Sequence, residues 1–222
     1  MVYFFYFYLG SCMSSFTHCL SYSLIRKRFD YLTRSKCEHC KQNLFFWQLF
    51  PLLSYLFLKG RCYFCNIPIS SDHFYIELYG GLCSLLLFSY SSLSSFSLAM
   101  YMIFMIMVSM DFLGRWVPDL LQIAFLLLGL LYNSQLEIIS LQTFLIFCLF
   151  TFLVLLTEQA WLGGADLKFI CISLLYIPFS FFPLYLFLAS LFALFYAFIS
   201  KDKIIPFIPY LIFSFILIYT CT

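Results

Sequence analysis

The chain has 222 residues, 64% of them hydrophobic, 23% aromatic and only 10% charged, with a formal net charge of +2. Globular domains are about 45–50% apolar and about 25% charged, so this chain has too little polar surface to close a soluble sphere. Composition excludes a soluble enzyme, gives no reason to expect a nucleic-acid partner, and points to an all-α, polytopic membrane bundle embedded in a lipid bilayer.

Apolar runs of about 17 to 25 residues, each long enough to cross a hydrocarbon core of roughly 30 Å, fill most of the sequence after residue 73. Apolar length and turn signals predict helices near 2–24, 75–93, 96–113, 119–133, 139–157, 167–182, 184–199 and 204–220. The first 25 residues lack a basic leading region and a small-residue cleavage site, so they read as a first spanning helix rather than a removable signal peptide. The long run 167–199 is divided at Pro178–Pro183. Eight spans then send residues 26–73, 114–118, 158–168 and 200–203 to one side, and that side holds all twelve Lys and Arg residues. The positive-inside rule makes it cytoplasmic, with both termini outside. A single helix over 167–199 would put Lys201 and Lys203 outside, which favours the division. The expected organisation is a first transmembrane helix (1–25), a cytoplasmic tetracysteine segment (26–73) and a transmembrane helical core (74–222).

The polar segment carries the pairs Cys37/Cys40 and Cys62/Cys65. Two such knuckles can supply four thiolates to a tetrahedral structural zinc site, and placement in a reducing cytoplasm favours zinc over disulfides. Between them, Trp47 to Leu58 is apolar and interrupted by Pro51, suited to the membrane face or to packing on the helices. Cys12, Cys19, Cys83, Cys148, Cys171 and Cys221 lie unspaced in apolar runs and read as small buried hydrophobes. None of His18, His39 and His73 has a spaced partner.

Among the acids, the informative ones lie at membrane depth, where an ionised carboxylate costs several kcal/mol unless something offsets it. Asp30, Glu38, Asp72, Glu137 and Asp202 fall in solvated segments, and Glu158 at an interface. Asp111 sits near the inner end of one helix, in VSMDFLGRWVPD, and Asp166 at the inner end of another, in WLGGADLKF. Two carboxyl groups brought together share a proton, one acting as general base on water and the other as general acid, which is the chemistry of a peptidase without a covalent intermediate. The helix N-terminus and nearby Lys168 assign Asp166 the base role; Asp111, at a helix C-terminal end, is the expected acid. Gly163 and Gly164 let the backbone approach closely beside Asp166. Asp119 reads as a helix-start acid, and Glu77 as a contact to the cytoplasmic segment or a paired interfacial acid. There is no GxxxxGK[ST], and GGADLK does not lie between a strand and a helix as a dinucleotide fingerprint would.

Taken together, these residues resemble the type IV prepilin peptidases, membrane aspartic enzymes sharing a GxGD motif. GGAD at Gly163–Asp166 is similar to that motif, and MDFLGRWVPD to the family's first aspartate segment. Leu49 to Cys65 resembles the stretch leading into its second cysteine pair, followed by Glu77. Gly10–Ser11 is similar to the start of its N-terminal motif, and IIPFIPYL to its PFxP segment. The resemblance implies Asp111 and Asp166 as the catalytic pair, and cleavage of a prepilin or pseudopilin leader at the cytoplasmic face. It also implies, for many members, N-methylation with S-adenosylmethionine; the low charge and short N-terminus resemble small Gram-positive competence enzymes. Two departures stand out: Ala165 replaces the usual second glycine, and CMSSFTHCLSYS follows Gly10–Ser11 where the family continues with an Asn and an Arg. The second departure bears on methyl transfer more than on proteolysis. Two other classes compete, a small cation- or proton-coupled transporter and a membrane scaffold recruiting a partner through its zinc knuckles.

Overall fold

The computed structural model describes residues 1–26, 35–37, 39–91, 93–136, 163–200 and 205–221. The helix expected over 139–157 lies outside them, as do Glu38, Cys148, Glu158, Lys201 and Lys203. In chain order the helices are α1 (Val2–Ile25), α2 (Leu53–Phe57), α3 (Ser71–Ser91), α4 (Ser95–Gly114), α5 (Asp119–Leu136), α6 (Gly164–Ser173), α7 (Phe182–Ser200) and α8 (Ile208–Tyr219), with short 3₁₀ turns at Phe46–Leu49 and Phe179–Phe181. Among the described residues β pairing is limited to the isolated bridges Lys36–Asn43 and Arg61–Pro68. The chain divides into two compact units, Met1–Ser92 and Leu93–Thr222.

In the first unit α1 packs along α3 through small side chains. A β-carbon at Gly10 would run into the Ser84 side chain and come within 2.8 Å of the Gly80 carbonyl oxygen. That close approach lets the Ser84 hydroxyl donate to Tyr6 O at 2.9 Å on the facing helix. Small residues at the seam are the usual means of holding helices together where the surroundings are themselves apolar. Gly10–Ser11, conspicuous in the sequence, is therefore a packing element, with Ser11 fully buried and bonded back to Phe7 O at 3.0 Å.

The second unit is held by an aromatic core. Phe104 of α4, Phe125 of α5, Phe169 of α6 and Phe215 of α8 are all fully buried. Their ring centroids lie 5.1 to 6.1 Å apart. Tyr176 stacks on Phe125 at 4.8 Å and donates its hydroxyl to Phe125 O at 2.8 Å.

Two described helical segments, Ser95–Gly114 and Phe179–Ser200, are long and apolar enough to cross a membrane. The expected break between 167 and 199 is present, but the first of the two helices is shorter than the expected 167–182. With ten residues, α6 rises only about 15 Å, half of a hydrocarbon core of roughly 30 Å, so it is not a full helical span. Its last turn tightens into bonds of the 3₁₀ type, Leu174 N–H to Cys171 O, Leu175 N–H to Ile172 O and Tyr176 N–H to Ser173 O. Tyr176 thereby turns inward onto Phe125, and this tertiary contact, invisible in a uniformly apolar run, ends the helix before Pro178 is reached.

Candidate active site

Asp111 lies in the last turn of α4, 8% exposed. The helix stops just beyond it: Arg115 takes a left-handed conformation (φ 52°) and returns its N–H to the Asp111 carbonyl oxygen at 2.9 Å. Asp166 lies in the first turn of α6, whose N-cap is Gly163. Asp166 is close enough to Asp111 to feel its charge. Nothing local in the sequence joins them; the aromatic core does. Phe104 is two turns before Asp111 and Phe169 one turn after Asp166, so the Phe104–Phe169 contact at 5.8 Å sets the register of the two acid-bearing helices.

A third helix completes the arrangement. Ile208, at the start of α8, donates its backbone N–H to Asp111 Oδ2 at 3.2 Å in a buried contact. The first N–H groups of a helix have no partner within it, and this one is directed at the acid. Pro206 and Pro209 flank it, Pro209 lying in the first helical turn. The PFIP stretch is thus a rigid helix start that supplies one donor to Asp111. Two turns on, Phe215 packs against Phe104 at 5.4 Å, so the core sets α8 as it sets α4 and α6.

Gly163 has a specific role. A β-carbon there would lie 2.8 Å from Asp166 Oδ2, so the carboxyl group folds back over space only glycine leaves free. Gly164 begins α6 and is half-buried. Ala165, in place of a second glycine, is held through its carbonyl by Gln122 Nε2 of α5 at 3.2 Å.

Lys168 is directed elsewhere than the sequence suggested. Its Nζ lies 2.6 Å from Asp119 Oδ1 in an exposed ion pair joining the starts of α6 and α5. Its charge is matched there, which removes one of the two grounds for making Asp166 the base.

Sequence reasoning overlooked three contributors: the Ile208 N–H, Gln122, and Tyr185 of α7. Tyr185 is fully buried and close enough to Asp166 to feel its charge. Gln122 carried a usable signal, a lone amide in the apolar run DLLQIAF one turn after Asp119. The flanking prolines were the signal for Ile208, whereas nothing distinguishes Tyr185 from the other aromatics.

In the first unit, Glu77 accepts the Ser15 hydroxyl at 2.7 Å on Oε1 and the Leu52 N–H at 2.8 Å on Oε2. Leu52 has a left-handed backbone (φ 61°), so Glu77 ties α1, α3 and a strained point of the cysteine segment together. His18 and His73, which had no spaced partner in sequence, meet edge to face with ring centroids 5.0 Å apart.

The cysteine segment is one hairpin built twice. Cys37 N–H donates to Gln42 O and Cys62 N–H to Ile67 O, both at 2.9 Å. Lys41 N–H returns to Cys37 O and Asn66 N–H to Cys62 O, and Lys41 (φ 59°) and Asn66 (φ 56°) both turn left-handed directly after the second cysteine of their pair. The two tips face each other, with all four Sγ atoms within 4.8 Å and Cys37 Sγ to Cys65 Sγ at 4.0 Å. Four thiolates about 2.3 Å from a central ion in a tetrahedron are about 3.8 Å apart, so this set fits a metal ion. Burial pushes the Cys62 thiol up, but N–H donors from Cys65 and Phe64 and the neighbouring sulfurs outweigh it and hold it down at about 7. Cys65, bonded by Ile67 but crowded by burial and three sulfurs, is pushed up to about 11.

Comparison with known proteins accounts for both halves of this arrangement. Residues 8–91 match the Bacterial Peptidase A24 N-terminal domain and residues 98–198 the Type IV leader peptidase family. The chain is 30% identical over 203 residues to a prepilin leader peptidase/N-methyltransferase of Legionella pneumophila, covering 83% of this chain and 71% of that protein. It is 28% identical over 232 residues to the protein of the same name from Vibrio cholerae serotype O1, covering 93% and 92%. With that from Aeromonas hydrophila the identity is 29% over 197 residues, covering 80% and 68%. No solved structure matches. A chain with the N-terminal domain, the peptidase domain and this extent of identity belongs to the type IV leader peptidase family.

Proposed function

We propose that this chain is a membrane aspartic endopeptidase that cleaves the leader peptide of prepilin-like (pseudopilin) proteins, with Asp111 and Asp166 as its catalytic pair. The observation that carries the reading is the convergence of α4, α6 and α8 on two neighbouring carboxyl groups. One carboxylate takes a proton from water as it attacks the scissile carbonyl carbon, while the other gives its proton to the carbonyl oxygen; as the tetrahedral intermediate collapses, the first passes the proton from water to the leaving amine and the second recovers its own. Gly163 and Gly164 support this role by leaving room beside Asp166, and the Ile208 N–H by fixing Asp111. Asp119 with Lys168, and Glu77, brace the surrounding elements rather than touch substrate.

In this reading the chain is a multi-pass protein of the cell membrane with its site on the cytoplasmic face. Residues 1–25 are a first transmembrane helix, 26–73 the cytoplasmic segment and 74–222 the transmembrane catalytic core. Eight crossings are supported by the one-sided distribution of all twelve basic residues. One crossing is completed by α6 and the turns after it; non-helical backbone is tolerated at membrane depth when packed inside protein, and Leu174, Tyr176 and Ile177 are buried.

Cys37, Cys40, Cys62 and Cys65 would hold zinc. With four protein ligands and no open position, such an ion supplies a structural cross-link between the two hairpins and no catalytic chemistry. N-methyl transfer is the second activity in the relatives' names, and S-adenosylmethionine would be its methyl donor here. Here Ser11, Ser14, Thr17, His18 and Ser21 of α1 are buried, none more than 3% exposed. Mass spectrometry of a mature substrate decides the point, an unmodified N-terminal amine removing the activity.

Co-expression with a prepilin-like substrate tests the central assignment. Wild type is expected to release the leader, and Asp111→Asn and Asp166→Asn each to leave the substrate full length with normal amounts of enzyme in the membrane. Cleavage by either variant would contradict it.

A further inference from the structure

The two hairpins share one backbone but present opposite tips. The first carries the exposed His39 between its cysteines, whereas the second carries Tyr63 and Phe64, both exposed. These two rings anchor a larger cluster: Phe45 lies 6.2 Å from Tyr63 and 5.4 Å from Phe64, and Trp47 lies 5.6 Å from Tyr63. The chain then runs through Phe46, Phe50, Leu53, Leu56 and Phe57 with its apolar side chains outward, Phe46 at 74% exposure and Phe57 at 79%. An exposed apolar patch of this kind marks an interaction surface.

Its rim identifies the partner. Lys36, Lys41, Lys59 and Arg61 are all exposed, and between residues 35 and 70 the sequence has one acid, Glu38. Tyrosine and tryptophan beside outward aliphatic side chains suit the boundary between headgroups and acyl chains, and a basic rim suits an anionic headgroup layer. A partner protein with a plain apolar face would leave those four cations unmatched.

We propose that the aromatic tip of the second hairpin, with Phe45 to Phe57, is an interfacial foot that lies on an anionic bilayer surface. Because Tyr63 and Phe64 are the two residues between Cys62 and Cys65, the same turn that offers thiolates to a metal also presents the foot's central rings. Metal binding therefore organises the foot as well as the hairpins.

The test uses the full chain with Trp47 as its one tryptophan, made by Trp116→Phe and Trp161→Phe, reconstituted in phosphatidylcholine vesicles with or without phosphatidylglycerol. In anionic vesicles Trp47 emission is expected to be quenched by brominated acyl chains and shielded from acrylamide. Replacing Lys59 and Arg61 with Glu should weaken that seating by roughly fivefold for each cation removed, in protein confirmed to keep its metal. High salt should do the same without mutation, and chelation of the metal should return Trp47 to acrylamide. Three results would overturn the proposal: Trp47 open to acrylamide in anionic vesicles, Trp47 shielded from both quenchers as when covered by protein, or equal bromolipid quenching in neutral and anionic vesicles.

Discussion

The tetracysteine cluster and the aspartate pair bring reactive groups together by opposite means. Between Cys37 and Cys65 the geometry is local: two short hairpins, each closed by its own backbone bonds and one left-handed residue, point their sulfurs at a common centre. Asp111 and Asp166 belong to different helices and meet only because Phe104, Phe125, Phe169 and Phe215 lock those helices in register. A locally built site fails when one ligand is lost. A site built by packing fails when any helix shifts, however far the change lies from the reacting atoms.

The first way to break that contrast is at the cysteines. A structural zinc contributes roughly 10–16 kcal/mol through four ligands, so Cys62→Ser is expected to lower zinc affinity by about 3 kcal/mol or more, over a hundredfold. Competition with a chelator measures this, and Asp111→Asn should leave the same measurement unchanged. Next comes Gly163→Ala, whose β-carbon would lie 2.8 Å from Asp166 Oδ2. Displacing a catalytic group by about 1 Å costs up to roughly a hundredfold in rate, so kcat for leader cleavage should fall by about 10- to 100-fold while zinc content is unaffected.

Gln122→Leu removes the amide that holds the Ala165 carbonyl. It is expected to reduce kcat by about fivefold, in line with loss of one part-buried hydrogen bond of about 1 kcal/mol from the turn that carries Asp166. Lys168→Ala should do least. It breaks an exposed pair with Asp119, and surface ion pairs contribute about 0–1 kcal/mol, so activity should change by less than about fivefold. A large loss in that variant, measured as initial cleavage rate, would mean that Lys168 acts on substrate rather than bracing α6 against α5.

How far each region could be read from sequence follows the same division. Cysteine spacing announced the four-sulfur cluster because its geometry is carried by contiguous residues, though the repeat relating Lys36–Asn43 to Arg61–Pro68 lies in hydrogen bonding rather than side-chain identity. Asp111 and Asp166 were legible as acids out of place in apolar runs, and charge distribution put them on one side. Their support was legible only in part, through the lone amide of Gln122 and the prolines flanking Ile208. The Ile208 N–H has no side-chain signature, and Tyr185 looks like any other aromatic in a chain with 17 tyrosines. Lys168 shows the limit of inference from neighbours: two residues from Asp166 in sequence, it faces Asp119 in space. The early end of α6 likewise depends on where Tyr176 packs, which a run of apolar residues does not encode.

The central claim is that Asp111 and Asp166 act as one unit, and comparing Asp111→Asn, Asp166→Asn and the double variant in purified enzyme with a prepilin-like substrate tests it most directly. Each single substitution is expected to cost about 10²–10⁴ in kcat, and the double variant no more than the worse single one, since removing either member already disables a pair that works together. Losses that multiply in the double variant, or a single variant that still releases the leader at a near-normal rate, would contradict it.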